Sequence, residues 1–168
     1  MSNFSKNVFL CLCMLSFLSF VFFFFAYSPA SACSRVLSAN NGQAVLVGRN
    51  MDWPENIDSA FWFLPRGIKR SGLAGGNAMV WAAKYSSIVT ASTVKGQSFV
   101  SDGLNEKGLE ANLLWLNESD YGARNETKPG LSIALWAQYV LDNYSTVADA
   151  VRDIQSGLYQ IVDVNIPM

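Results

Sequence analysis

The hydrophobic pattern of the chain changes character near residue 32. Val8 to Ala26 form an uncharged, largely apolar run, preceded by Lys6 and followed by Ser28-Pro29-Ala30-Ser31-Ala32 immediately before Cys33. A cationic start, an apolar stretch and a small-residue Ala-x-Ala end predict a secretory signal peptide over residues 1–32, cut between Ala32 and Cys33. The run is also long enough to span a bilayer, so a retained anchor is the competing reading. A lipid-modified Cys33 is a third, weakened because Ala30 stands where a bulky aliphatic residue is usual.

Beyond the leader, short alternating stretches predict strands over residues 34–38, 44–48, 59–65, 79–85, 87–93 and 109–116. Asn40-Asn41-Gly42 reads as the turn of a first hairpin. A second turn is expected from Asp102-Gly103 to Lys107-Gly108. Arg66-Gly67-Ile68-Lys69-Arg70 reads as a solvated basic loop, 72–77 as a Gly/Ala loop and 120–130 as a polar loop. Helical spacing appears only late. It predicts one helix over residues 131–142 and a second over 146–156, with Ser145 as N-cap and Gly157 just past the end. Residues 162–168 read as the opening of another strand. Strands followed by a helical pair make an α+β domain.

Composition narrows the chemistry. The 51% hydrophobic content is inflated by the leader, which holds eight of the eleven phenylalanines. Residues 33–168 carry eleven basic and thirteen acidic groups, a balance that argues against nucleic-acid binding. The chain has no histidine, which excludes a Ser–His–Asp triad, a Cys–His pair and a histidine-ligated metal site. Of the three cysteines, two leave with the leader; Cys33 remains and becomes the first residue.

A thiol without histidine still has one base available. At the amino terminus its own α-amine, with an ordinary pKa of about 7.7–8.0, can take the thiol proton and later return it to a leaving amine. The front hairpin would carry Arg49-Asn50-Met51-Asp52-Trp53 back beside Cys33. Arg49 could then stabilise a thiolate and Asp52 could orient the charged amine.

These residues carry a resemblance. Cys33-Ser34-Arg35, Gly48-Arg49-Asn50-Met51-Asp52-Trp53 and Ser101-Asp102-Gly103-Leu104-Asn105-Glu106-Lys107-Gly108-Leu109 follow one another as in the choloylglycine hydrolase family. That family comprises the conjugated bile salt hydrolases and penicillin V acylases, within the N-terminal nucleophile hydrolases. Ala111-Asn112-Leu113-Leu114-Trp115-Leu116 looks like the Gram-negative-type penicillin acylase branch.

The resemblance implies Cys33 as nucleophile, Arg49 beside the sulfur and Asp52 bonded to the α-amine. Trp53 and Trp115 would flank the acyl pocket, with ordinary core aromatics as the alternative. The family's oxyanion asparagine falls at Trp115, which lacks an amide; a backbone N–H nearby, or Asn117 after a two-residue shift, would serve instead. The implied fold is the N-terminal portion of a four-layer αββα sandwich, incomplete here, because the family's catalytic domain is considerably longer and its later asparagine and arginine fall beyond residue 168. Helices whose apolar faces need a finished sheet would then be left partly exposed.

The expected activity is hydrolysis of linear amide C–N bonds, without cofactor or metal, on a small N-acyl amide: penicillin V, a conjugated bile acid or an N-acyl homoserine lactone. The protein would be periplasmic or secreted, touching membrane only through an uncleaved leader or a lipid; a family-like homo-oligomer is compatible. The alternatives are a membrane-attached non-enzymatic protein and a catalytically dead fragment.

Overall fold

The computed structural model describes residues 13–17, 20, 33–40, 42–53, 56–94, 97–116 and 118–163. The chain forms two compact units, Met1–Ser31 and Ala32–Met168. In the first, residues 13–17 and 20 are helical, and Met14, Leu15, Phe17 and Phe20 are exposed. Most of the expected signal peptide, including Ala30 and Ala32 of its cleavage site, lies outside the described residues.

The second unit opens with an antiparallel hairpin, β1 (Arg35–Ser38) on β2 (Leu46–Arg49), in a register that sets Arg35 opposite Arg49 and Ser38 opposite Leu46. The largest sheet has the order β3-β6-β7-β8, from β3 (Asp58–Leu64), β6 (Ser87–Val94), β7 (Gln97–Asn105) and β8 (Glu110–Asn112). Between β3 and β6 the chain makes a small ribbon, β4 (Lys69–Ser71) on β5 (Val80–Ala82). A parallel pair, β9 (Gly130–Ser132) and β10 (Gln160–Val162), brackets helices α1 (Ile133–Asn143) and α2 (Val147–Ser156).

Strand alternation gives the large sheet two different faces. Val89, Val100, Leu109 and Ala111 pack beneath Ala137, Val140 and Leu141 of α1 and Ala150 of α2. On the other face Phe63, Ile88 and Leu104 stand in register across three strands, and with Phe61 they are all exposed. The architecture of the described residues is therefore mixed α/β, with one sheet face roofed by helices and the other apolar and open. Val147, Val151 and Ile154 of α2 are exposed as well, so only Ala150 of that helix's apolar stripe is buried.

Four local readings of the sequence are corrected. Asp102-Gly103 is not a turn: β7 runs through it to Asn105, and the turn is confined to residues 106–108. Gly103 serves a close approach instead, since a Cβ there would lie 2.5 Å from Leu141 Cδ1 and 2.8 Å from Val89 Cγ1. Leu131 belongs to β9 rather than to the helix, because Gly130 and Ser132 bond through their backbones to residues 72 and 79. Ser132 is extended and caps α1 by accepting from Ala134 N–H at 3.1 Å. The N-cap of α2 is Thr146, not Ser145, with its hydroxyl accepting from Asp149 N–H at 3.1 Å.

The fourth correction concerns the basic loop. Arg66 is exposed, but Arg70 lies in β4 with its Nε 2.7 Å from the fully buried Asp142. Asp142 also receives Trp81 Nε1 at 2.7 Å and Gln138 Nε2 at 2.6 Å, which makes it the polar hub joining β4, β5 and α1. Asn105 plays a similar part at the end of β7. It donates to the carbonyls of Leu141 and Tyr144 at 2.8 and 2.7 Å and accepts from Lys107 and Leu109 N–H at 3.0 Å each. Its whole hydrogen-bonding capacity is thus used to tie the β7–β8 turn to the C-terminal end of α1. Around Tyr139, edge-to-face contacts with Trp81, Tyr144 and Tyr159 complete the far side of α1, and burial raises the pKa of all three phenols.

Candidate active site

Asn50 N–H donates to Ser34 O at 3.1 Å, which continues the β1–β2 ladder past Arg49. One residue further along, Cys33 is level with Met51. Alternation then divides the segment after β2. Arg49, Met51 and Trp53 are half-buried, whereas Gly48, Asn50 and Asp52 are exposed. Met51 and Trp53 line a cavity of about 220 Å³, whose wall also includes Cys33, Phe99, Leu113 and Trp115.

The cavity is mainly apolar. Trp53 and Trp115 meet edge to face, with ring centroids 5.4 Å apart and planes at 88°, a geometry favoured by the quadrupoles of the two rings. Met51, Trp53, Ile57 and Leu113 pack on the buried pair Phe99 and Ala134, so the wall is continuous with a small core of its own. Cys33 is a free, half-exposed thiol in the wall of this space.

Arg49 is fixed from two sides. Its Nη2 donates to Leu113 O, and its Nε lies 3.2 Å from Asp102 Oδ1 in a charge contact without an aligned hydrogen bond. Only 12% of its side chain is exposed. Asp102 Oδ1 in turn accepts from Asn112 Nδ2 at 2.9 Å. The Ser101-Asp102-Gly103 motif therefore supplies the acidic partner that holds the arginine at the cavity wall, a role its sequence pattern did not disclose.

Asp52 is on the opposite, exposed side of the segment, and both its carboxylate oxygens accept from Asn50 Nδ2, at 3.2 and 3.1 Å. The structure thus gathers Cys33, Trp53 and Trp115 at one cavity, places Arg49 against the carbonyl of a cavity residue, and sets Asp52 behind the strand that carries them. Asn117 lies outside the described residues. Leu114, Leu116, Ser119 and Tyr121 extend the wall; none was legible as a site residue, because the strand expected over 109–116 ends at Asn112 and the chain beyond it is irregular. In the neighbouring Asn105-Glu106-Lys107-Gly108 motif, the hydrogen bond from Arg66 holds the Glu106 carboxyl down at about 2. Among the described residues no group of three or more Cys, Asp and Glu is placed to hold a metal ion.

The fold is a mixed α/β unit whose front hairpin sets Cys33 beside an aromatic cavity, and comparison with known proteins gives its family. Residues 33–168 match the family of linear amide C–N hydrolases, choloylglycine hydrolase family, and the chain belongs to that family. It is 43% identical over 137 residues to a penicillin V acylase of Pectobacterium atrosepticum, a match that covers 78% of this chain and 36% of that protein.

Among solved structures, penicillin V acylase from Agrobacterium tumefaciens superposes with a TM-score of 0.69 at 43% identity, over 76% of this chain and 39% of that one. A mutant conjugated bile acid hydrolase from Clostridium perfringens shares the fold, with a TM-score of 0.60 at 24% identity over 82% and 41% of the two chains. The chain thus spans well under half the length of these relatives. The family and its relatives are amide hydrolases, which favours that class over a non-enzymatic membrane-attached protein.

Proposed function

We propose that this protein hydrolyses linear amides with Cys33 as an N-terminal nucleophile, once residues 1–32 have been removed in export to the periplasm or exterior. The observation that supports this reading is the position of Cys33 in the wall of an apolar cavity shared with Trp53 and Trp115. The Cys33 thiol gives its proton to the α-amine, and sulfur attacks the amide carbonyl. As the C–N bond breaks, the ammonium returns that proton to the leaving amine. Water then attacks the thioester, its proton passes to the amine, the C–S bond breaks and the thiol is restored.

Arg49 supplies positive charge at the cavity wall, and Asp52 orients the α-amine from the exposed side. The oxyanion is received by a backbone N–H in the stretch around Trp115 and Asn117. The aromatic cavity suits an acyl group with an apolar or aryl body, and the names of the relatives point to penicillin V as the first substrate to try. The open face of Phe61, Phe63, Ile88 and Leu104 supports a second sheet packed there, as in a four-layer αββα sandwich.

The test is the mass of the exported product together with penicillin V hydrolysis by the Cys33→Ser variant. A product beginning at Cys33 and loss of hydrolysis on substitution are expected. An intact leader on active protein would sink the reading, because no free amine could then exist at Cys33.

A further inference from the structure

Asn50 stands between the two halves of the proposed machinery, and no role follows for it from the nucleophile, the arginine or the cavity. Its backbone N–H donates to Ser34 O at 3.1 Å, and its side-chain Oδ1 accepts from Ser34 N–H at 2.5 Å. The same amide, through Nδ2, donates to both oxygens of Asp52 at 3.1 and 3.2 Å. Ser34 N belongs to the peptide bond whose carbonyl is that of Cys33. One side chain therefore grips the peptide plane immediately behind the thiol and, with its other end, the carboxylate proposed to orient the amine.

From this we infer that Asn50 is a positioning residue, which sets the reach between Cys33 and Asp52 by clamping both. The inference rests on the reading of Cys33 as an N-terminal nucleophile. An amide suits this place for a chemical reason. It offers an acceptor at one end for a backbone N–H and a donor at the other for a carboxylate. Aspartate would keep the acceptor and lose the donor; alanine would lose both. The strand itself does not need the side chain, since the ladder bond from Asn50 N–H to Ser34 O is made by backbone alone. Asn50 is exposed, so its removal opens no cavity in the core.

The test uses the full chain expressed with its leader, and rates are expressed per mole of purified, folded product whose mass shows that it begins at Cys33. Asn50→Ala is expected to lower kcat on penicillin V by about tenfold to a hundredfold, the scale of a small misplacement of reacting groups. KM and the thermal midpoint should stay close to the parent values. Asn50→Asp, which keeps the acceptor for Ser34 but turns a carboxylate against Asp52, should not recover the lost kcat.

A kcat for Asn50→Ala equal to that of the parent would overturn the inference. So would a loss explained by a fall in thermal midpoint or by KM alone. If penicillin V is not turned over, the rate of Cys33 alkylation by iodoacetamide replaces kcat; Asn50→Ala should slow it several-fold, and an unchanged rate overturns the inference. Failure of the underlying reading looks different: the product does not begin at Cys33, or Cys33→Ala leaves hydrolysis intact.

Discussion

Arg49 Nε lies 3.2 Å from Asp102 Oδ1, and this contact joins the front hairpin to the large sheet. Arg49 ends β2, whereas Asp102 is in β7, and the cavity residue Leu113 supplies the arginine's other partner. Asp102→Ala would leave a largely buried guanidinium with a single carbonyl acceptor. The expected cost is about 2 kcal/mol, the scale of a hydrogen-bonded charge losing its partner, read as a lower urea midpoint. Asp102→Asn should lose less, because it keeps an oxygen facing Arg49. Arg49→Lys should not rescue hydrolysis, since one ammonium cannot span both partners as the guanidinium does.

Asp142 should be among the most sensitive positions outside the site. It is fully buried and receives Arg70, Trp81 and Gln138. Asp142→Ala strands a buried cation and two donors, and is expected to destabilise the protein by about 3–5 kcal/mol. Chemical denaturation of the parent and the variant would measure it, and a loss indistinguishable from a surface substitution would contradict the hub.

Gly103→Ala probes the close approach of α1 to the sheet. The added methyl would press on Leu141 and Val89, and overpacking of this kind costs about 1–3 kcal/mol. In a Leu141→Ala background the tightest of these contacts is gone and Val89 still presses, so the same substitution should cost less. A double-mutant cycle on urea midpoints reads the coupling, and strict additivity would count against the contact.

Trp115→Ala should act on binding before chemistry. It removes one partner of the edge-to-face pair and part of the cavity wall. KM for an aryl-acyl amide is expected to rise about tenfold, the upper range of an aromatic pair contact. The kcat should change less, and steady-state kinetics on penicillin V separates the two.

Glu106 predicts an acid limb in stability. Its carboxyl is held at about 2 against an ordinary 4.5, first by the hydrogen bond from Arg66. A depressed carboxyl binds fewer protons in the folded state than in the unfolded one. Its contribution is therefore complete above pH 4.5 and is lost as the pH falls toward 2. Urea midpoints measured across that window should decline in the parent, and Glu106→Gln should flatten the decline. An unchanged slope in the variant would assign the acid limb to other carboxylates.

Much of this protein was legible in one dimension because local forces dominate there. Asn40-Asn41-Gly42 and the alternation around it specify the β1–β2 hairpin. Gly157, at φ 65°, ends α2 as a residue without a Cβ can. The absence of histidine excluded a Cys–His pair before any fold was considered, and the three motifs after Cys33 pointed to the family that comparison shows.

What only the tertiary structure decided concerns pairs distant in sequence. Gly103 looked like a turn residue and is a packing site, because the side chain that needs the space, Leu141, arrives from α1. Arg70 looked solvated and is half-buried, because the carboxylate that neutralises it lies on the same helix. Asp102 and Asn50 carried no visible task, since their tasks are to hold Arg49 and the Cys33–Ser34 peptide. Periodicity reports which face of an element is apolar; it does not report which polar group will come to stand opposite. That depends on how strands and helices distant in sequence pack on one another, which only the tertiary structure sets.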